Sequence, residues 1–189
     1  MADEFELNEY RCQYSLENND PLSELDPAVC FSRWWDHVVE SNQVEPNAMV
    51  LSTVHDDRVD ARVVLLKHVD QHTYTFFTHY QSAKSKAIAS HPQVSLLFYW
   101  PALWRSIRIE GVAKKTPASV SDRYFSTRSR QSQISAVASE QSQPIDSLAT
   151  LEQRCQEIEQ QYPGQAIPRP AEWGGYAVNA TRYEFWQGG

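Results

Sequence analysis

Glycine is scarce in this chain: there are six among 189 residues, and the first is Gly111. A Walker loop or a GxGxxG turn needs clustered glycines so that backbone amides can approach a phosphate. Neither pattern occurs, so side chains must hold any phosphorylated ligand. Cysteine is sparse as well. Cys12, Cys30 and Cys155 lie far apart and form no CxxC metal or redox motif, which fits a reducing cytoplasm. No apolar run reaches the ~20 residues of a membrane span. The nearest, 94–104, is interrupted by Ser95 and Pro101. An excess of positive charge is also lacking: 17 basic against 24 acidic residues leave a net charge of −7. Phosphate backbones are bound mostly by net basic surfaces, which argues against a nucleic-acid partner. The start, Met1-Ala2-Asp3-Glu4, has neither the basic nor the apolar region of a signal peptide. The six histidines include no HExxH, and no metal site is expected.

What remains is ordinary globular composition, 41% apolar, 22% charged and 12% aromatic. The length suits one domain. Residues 1–25 are polar and acidic and read as an arm, leaving 26–189 as a single domain. Asp26-Pro27 places a cap and a proline at the start of a helix running to about residue 41, with Phe31, Trp34, Trp35 and Val38 buried. Strand-like segments follow at 48–54, 59–68 and 73–78, with turns at 55–58 and 70–72. Such short turns imply antiparallel pairing. A short helix at 82–91, strands at 94–100 and 106–115, with a bulge at Gly111, and a helix at 117–127 come next. A polar Ser/Gln stretch covers 129–147, an amphipathic helix 148–162, and a closing hairpin 173–178 and 182–186. The sum is an α+β fold, a six- to seven-stranded antiparallel β-barrel with about four peripheral helices.

Two groups of residues carry possible chemistry. Tyr124, Arg128 and Ser132 are spaced to share one face of a single helix, where a phenol, a guanidinium and a hydroxyl would make a phosphate cup. A solvated helix end with a buried tyrosine is the plain alternative. Arg62 and Lys67 bracket an apolar strand. Their spacing puts them on opposite faces, so they serve one site only if the strand bulges or Lys67 sits at its end. His68 and His72 flank a turn and read as solvated. Trp100, Trp104, Trp173 and Trp186 lie in or beside strands, as core or dimer contacts, and Trp100, Trp104 and Trp186 are expected near exposed sheet edges.

Several longer motifs occur in order: Glu45-Pro46-Asn47-Ala48-Met49, Arg62-Val63-Val64-Leu65-Leu66-Lys67, Leu97-Phe98-Tyr99-Trp100-Pro101, Tyr124-Phe125-Ser126-Thr127-Arg128, Arg130-Gln131-Ser132-Gln133, Gln141-Ser142, Trp173-Gly174-Gly175-Tyr176 and Glu184-Phe185-Trp186-Gln187-Gly188. From about residue 10 onward the chain closely resembles the pyridoxine/pyridoxamine 5′-phosphate oxidases. That resemblance implies an FMN-binding split barrel, a homodimer with flavin at the subunit interface. It also implies oxidation of pyridoxamine or pyridoxine 5′-phosphate to pyridoxal 5′-phosphate with O2 as acceptor. Carried over by motif, Lys67, Tyr124, Arg128 and Ser132 match substrate-phosphate positions. Arg11 and Tyr14 resemble a segment that folds over the substrate. Arg62, Val63, Val64, Leu65, Leu66, Lys67, Phe77, Thr78, Lys84, Gln141, Ser142 and Trp186 match cofactor positions. Flavin carries the redox chemistry in such enzymes, so no dedicated acid/base pair is required.

Three departures from the family pattern stand out. Ala83 replaces an arginine, Ser106 replaces a glutamine, and the family's Arg-Leu-His-Asp-Arg segment does not follow Gly189. Removing a charge-assisted hydrogen bond to a phosphorylated ligand costs on the order of 1.5–3 kcal/mol. Weaker FMN binding than the family norm is therefore expected. The alternatives are a non-catalytic homologue that binds FMN or pyridoxal phosphate, and an FMN-dependent reductase with another substrate.

Overall fold

The computed structural model describes residues 25–188, so Arg11 and Tyr14 lie outside the described residues. Helix α1 (Pro27–Glu40) begins where expected: the Asp26 carboxylate accepts from the Ala28 amide at 2.8 Å, with proline at the first position. Its inward stripe buries Phe31, Trp34 and Val38. Strands β1 (Ala48–His55) and β2 (Arg58–Leu65) form a hairpin in full register from Ala48↔Leu65 to His55↔Arg58. The turn residues Asp56 and Asp57 both have positive φ, 48° and 59°, the mirror-image turn that matches strand twist and that aspartate tolerates.

The segment expected as one strand over 59–68 is in fact two. β2 ends at Leu65 and β3 (His68–Asp70) begins after a two-residue crossing. The sheet order is β2-β1-β5-β6-β7-β4-β3, so this crossing joins its two outermost strands. The Leu66 amide donates to Asn47 O and the Lys67 amide to Thr75 O, both at 2.8 Å. Those two bonds reach β1's side and β4 respectively, and they close the sheet into a barrel split at this seam. An uninterrupted strand would leave one of these backbone groups unpaired.

Strand β4 (Thr73–His79), helix α2 (Ala83–Ser90), strand β5 (Gln93–Trp100) and strand β6 (Arg105–Lys115) follow. A 3-10 turn, Pro101–Leu103, joins the last two. The polar stretch expected without structure contains helix α4 (Arg130–Ala138), separated from α3 (Ala118–Thr127) by a two-residue break. Its cap is Ser129, whose Oγ accepts from the Ser132 amide at 3.3 Å. Low apolar content hid α4; Ile134 and Ala138 are its buried residues. Helix α5 (Leu148–Gln161) packs Cys155 and Ile158 against Phe125, Ile134, Ile167 and Trp173. With α4 included, the described α-helices number five rather than four.

The expected closing hairpin is one strand, β7 (Trp173–Gln187). It pairs with β4 through Trp173–Asn179 and with β6 along nearly its whole length. Register shifts between Glu110 and Gly111, and the extra residue is Thr181, whose Oγ1 donates to Glu110 O at 3.1 Å. The polar residues at 179–181 therefore mark a bulge, not a turn. Gly111 is required there because a Cβ would sit 2.5 Å from Asn179 O. Inside the barrel, Phe31, Tyr74, Phe98 and Trp100 form a cluster of edge-on and tilted rings with centroids 5.0–6.3 Å apart. Trp100 is fully buried rather than at an exposed sheet edge, its Nε1 donating to Pro46 O at 2.9 Å. Among the described residues no helix is long and apolar enough to cross a membrane.

Candidate active site

The barrel seam brings distant segments together. A cavity of about 350 Å³ is lined by Arg62, Val63, Val64, Leu65, Lys67, Phe77, Thr78, Lys84, Tyr124, Arg128 and Gln141. Arg62 and Lys67 share it because Lys67 lies beyond the end of β2, where strand alternation no longer applies. Lys84 comes from the first turn of α2, and Phe77 and Thr78 from the end of β4.

Tyr124, Arg128 and Ser132 do not share one helix. Tyr124 is on α3, Ser132 on α4, and Arg128 is extended between them at φ −70°, ψ 150°. The break turns the Arg128 guanidinium over the Trp173 ring at 4.7 Å, and its Nη2 donates to the Ser132 backbone oxygen at 2.9 Å. Arg128 Nε is buried with no hydrogen-bond partner among the described residues. The Tyr124 ring stacks on Phe77 at 3.9 Å, and Phe77 stacks on Trp173 at 5.6 Å. Burial pushes the Tyr124 phenol above its ordinary range, with the Arg128 charge opposing. A neutral phenol facing a permanent cation results.

Lys84 is 92% buried by area. Burial is the main cause, and nearby Arg62 the next, that bring its ammonium down to about 8. Its Nζ donates to Gln141 Oε1 at 3.1 Å, and the same oxygen accepts from Thr78 Oγ1 at 2.8 Å. Gln141 and Ser142 sit in a turn closed by the Gln143 amide on Glu140 O, with Ser142 at φ 68°. Like charges gathered around one cavity, with Lys84 buried and Arg128 Nε orphaned, form a donor set suited to an anion. The planar stack beside them suits an aromatic ring. This set fits a phosphorylated flavin and a phosphorylated pyridine without glycine loops.

Four of the sequence candidates are placed elsewhere. Leu66 is buried in the barrel core, Ser142 is exposed, and Ser132 is held as part of the α4 cap. Trp186 is 45% exposed near the end of β7, opposite Ser106. Sequence reading missed a contiguous second chamber of about 340 Å³, lined by His79, Ser135, Ser139, Leu151 and Cys155, which shares Phe77, Thr78, Arg128 and Gln141 with the first. Only the unrecognised helix α4 could have signalled it.

Comparison with known proteins agrees with this geometry. The family model described as pyridoxamine 5′-phosphate oxidase matches residues 36–162. A relative from Rubrobacter xylanophilus, named pyridoxine/pyridoxamine 5′-phosphate oxidase, is 48% identical over 86% of this chain and 76% of its own. One of the same name from Burkholderia lata is 47% identical over 96% of this chain and 86% of its own. Among solved structures, PhzG from Burkholderia lata 383, in complex with tetrahydrophenazine-1-carboxylic acid, superposes with a TM-score of 0.86 at 27% identity. The match covers 91% of this chain and 86% of PhzG. An FMN-binding protein from Nostoc punctiforme shares the fold at a TM-score of 0.66 and 15% identity, over 86% of this chain and 84% of its own. With a split barrel, a cation-lined cavity at its seam and relatives of this name over most of its length, the chain belongs to the pyridoxamine 5′-phosphate oxidase family.

Proposed function

We propose that the protein is an FMN-dependent oxidase that converts pyridoxamine or pyridoxine 5′-phosphate to pyridoxal 5′-phosphate with O2 as acceptor. One observation carries this: Arg62, Lys67, Lys84, Arg128 and Tyr124 converge on a single cavity with an aromatic stack in its wall. The relatives at 47–48% identity bear the corresponding name. FMN, when bound, would supply the redox chemistry: a hydride equivalent and a proton leave the substrate and end on O2 as hydrogen peroxide, and the amine substrate also takes up water and releases ammonia. The chain's own residues bind and orient. Lys84 and Arg62 face the cofactor phosphate, with Thr78 and Gln141 as neutral partners. Arg128, Lys67 and Tyr124 hold the substrate phosphate. Arg128 is the anchor, because its fork is planar and permanently charged. Ser132 contributes through the backbone oxygen that fixes Arg128. The protein's share of the redox step is to position the substrate against the flavin.

The site is completed by a homodimer in this reading. Tyr99, Ser106 and Trp186 are directly opposite one another across β5, β6 and β7. Tyr99 and Trp186 are exposed, as are Leu97 and Val63 on the rows beside Val50. This apolar band suits a second copy of the chain. It also gives Trp186 a role at the partner's flavin, in line with the interfacial site implied by the family resemblance.

A second reading, oxidation of an unphosphorylated aromatic carboxylic acid, is favoured by the likeness to PhzG. Arg128 could pair with a carboxylate as well as a phosphate. The deciding experiment is the absorbance spectrum of purified protein followed by peroxide release. A flavin spectrum with turnover of pyridoxine or pyridoxamine 5′-phosphate is expected. A flavin spectrum with turnover of only the aromatic acid would replace the first reading with the second, and no flavin binding would remove both.

A further inference from the structure

The cation cradle is already answered by groups of its own chain. Arg62 Nη1 donates to Leu51 O at 3.0 Å and to Thr53 Oγ1 at 2.8 Å, while Nη2 is paired with the Asp60 carboxylate. Asp60 also acts on Lys84, where its charge favours the protonated ammonium. Lys84 and Thr78 share Gln141 Oε1. An arriving phosphate therefore meets two internal acceptors, and they differ in kind. Gln141 is neutral, and rotating its amide presents Nε2 as a donor. Asp60 carries charge and accepts only, so at neutral pH it repels a phosphate wherever it points.

From this arrangement we infer that Asp60 is the residue that sets anion affinity in the cradle: an internal carboxylate that competes with the cofactor phosphate for Arg62 and Lys84. The inference rests on the proposed cofactor site and adds a regulator of its strength. Asp60 is not needed to place Arg62, which keeps its bonds to Leu51 and Thr53 from β1. The Asp60 side chain is 65% exposed against 19% for Arg62, so the pair is a surface one that contributes little to stability. Replacing the carboxylate by a neutral amide leaves the guanidinium positioned, with its charge no longer offset by Asp60.

The test compares wild type and Asp60→Asn. Apoprotein is titrated with FMN and with riboflavin, which lacks the phosphate, by quenching of flavin fluorescence. Asp60→Asn is expected to tighten FMN about 3- to 5-fold at low salt, with riboflavin unchanged. The gain should shrink in ~0.5 M salt, where exposed charges are screened. Unchanged or weakened FMN binding in the variant would overturn the inference and assign Asp60 to holding Arg62. Inorganic phosphate, read by its shift in melting temperature, probes the cradle independently of flavin. If neither flavin binds but phosphate stabilises Asp60→Asn more than wild type, the cradle stands and the flavin reading fails. If phosphate stabilises both alike, Asp60 has no such role.

Discussion

Two cavities flank Lys67, and they differ in a way that size does not reveal. The larger, about 720 Å³, lies under α1 and is walled by Phe31, Trp35, Pro46, Leu66 and Val69. The smaller, about 350 Å³, gathers Arg62, Lys67, Lys84 and Arg128. The first is bounded by rings that belong to the barrel core: Phe31 is 3% exposed and stacks on Trp35 at 6.2 Å. The second is bounded by four cations of graded exposure: Lys84 is buried, Arg62 and Arg128 are half-buried, and Lys67 is exposed. Clustered like charges around a buried lysine, rather than volume, mark the candidate anion site.

The largest effect expected from breaking this contrast is on stability. Phe31→Ala removes a buried ring that touches Tyr74, Phe98 and Trp100. It should cost ~3–5 kcal/mol in denaturant unfolding and leave the FMN affinity of the folded fraction unchanged. A selective loss of FMN binding at full stability would give the larger cavity a role in the site. Next in size is Arg128→Ala, expected to weaken pyridoxal 5′-phosphate about 10–100-fold, or ~1.4–2.8 kcal/mol, and to spare unphosphorylated pyridoxal. Equal weakening of both ligands would mean that the α3–α4 break had collapsed.

Lys84 sharpens the contrast through pH. Because its ammonium titrates near 8, it loses its charge above that pH, and FMN affinity should fall as pH rises through about 8. Lys84→Arg should flatten the profile, and Lys84→Met should weaken FMN ~10-fold below pH 8. The stability of ligand-free protein moves the other way. Between about 8 and the ordinary 10.5, the unfolded chain binds the proton more readily than the folded one. Folding is thus favoured as pH climbs through that window. A flat affinity profile in wild type would separate Lys84 from the phosphate. The smallest effect is a gain. Ala83→Arg, at the first position of α2, should tighten FMN a few-fold in the same titration. No gain would show that the cradle is already complete without it.

Much of this is legible from residues alone. The cap at Asp26, the Asp56-Asp57 hairpin, the antiparallel strands and the α+β class all follow from local propensities. Of the cofactor and substrate candidates within the described residues, those on β2, β4, α2 and α3 reach one cavity. The differences share a cause. A strand over 59–68, a hairpin at 173–186 and one helix bearing Tyr124, Arg128 and Ser132 are each what neighbours in sequence imply. Each is decided instead by partners far away. Trp100, expected near an edge, lies in the core because α1 covers that end of the barrel.

The sequence by itself determined the side-chain inventory and the local grammar. A chain this poor in glycine can hold phosphate only with arginine, lysine and hydroxyls, and caps, turns and alternation are set by nearest neighbours. The tertiary structure alone decided that Leu66 and Lys67 bridge the two edges of the sheet, that Thr181 bulges and keeps β7 whole, and that the chain breaks at Arg128. Those outcomes depend on satisfying backbone hydrogen bonds across more than 60 residues in the pairing of β6 with β7, and on burying Trp173 beneath α3 and α4. Such long-range terms leave no periodic trace in the local sequence, yet they are what bring Arg62, Lys84 and Arg128 around one cavity.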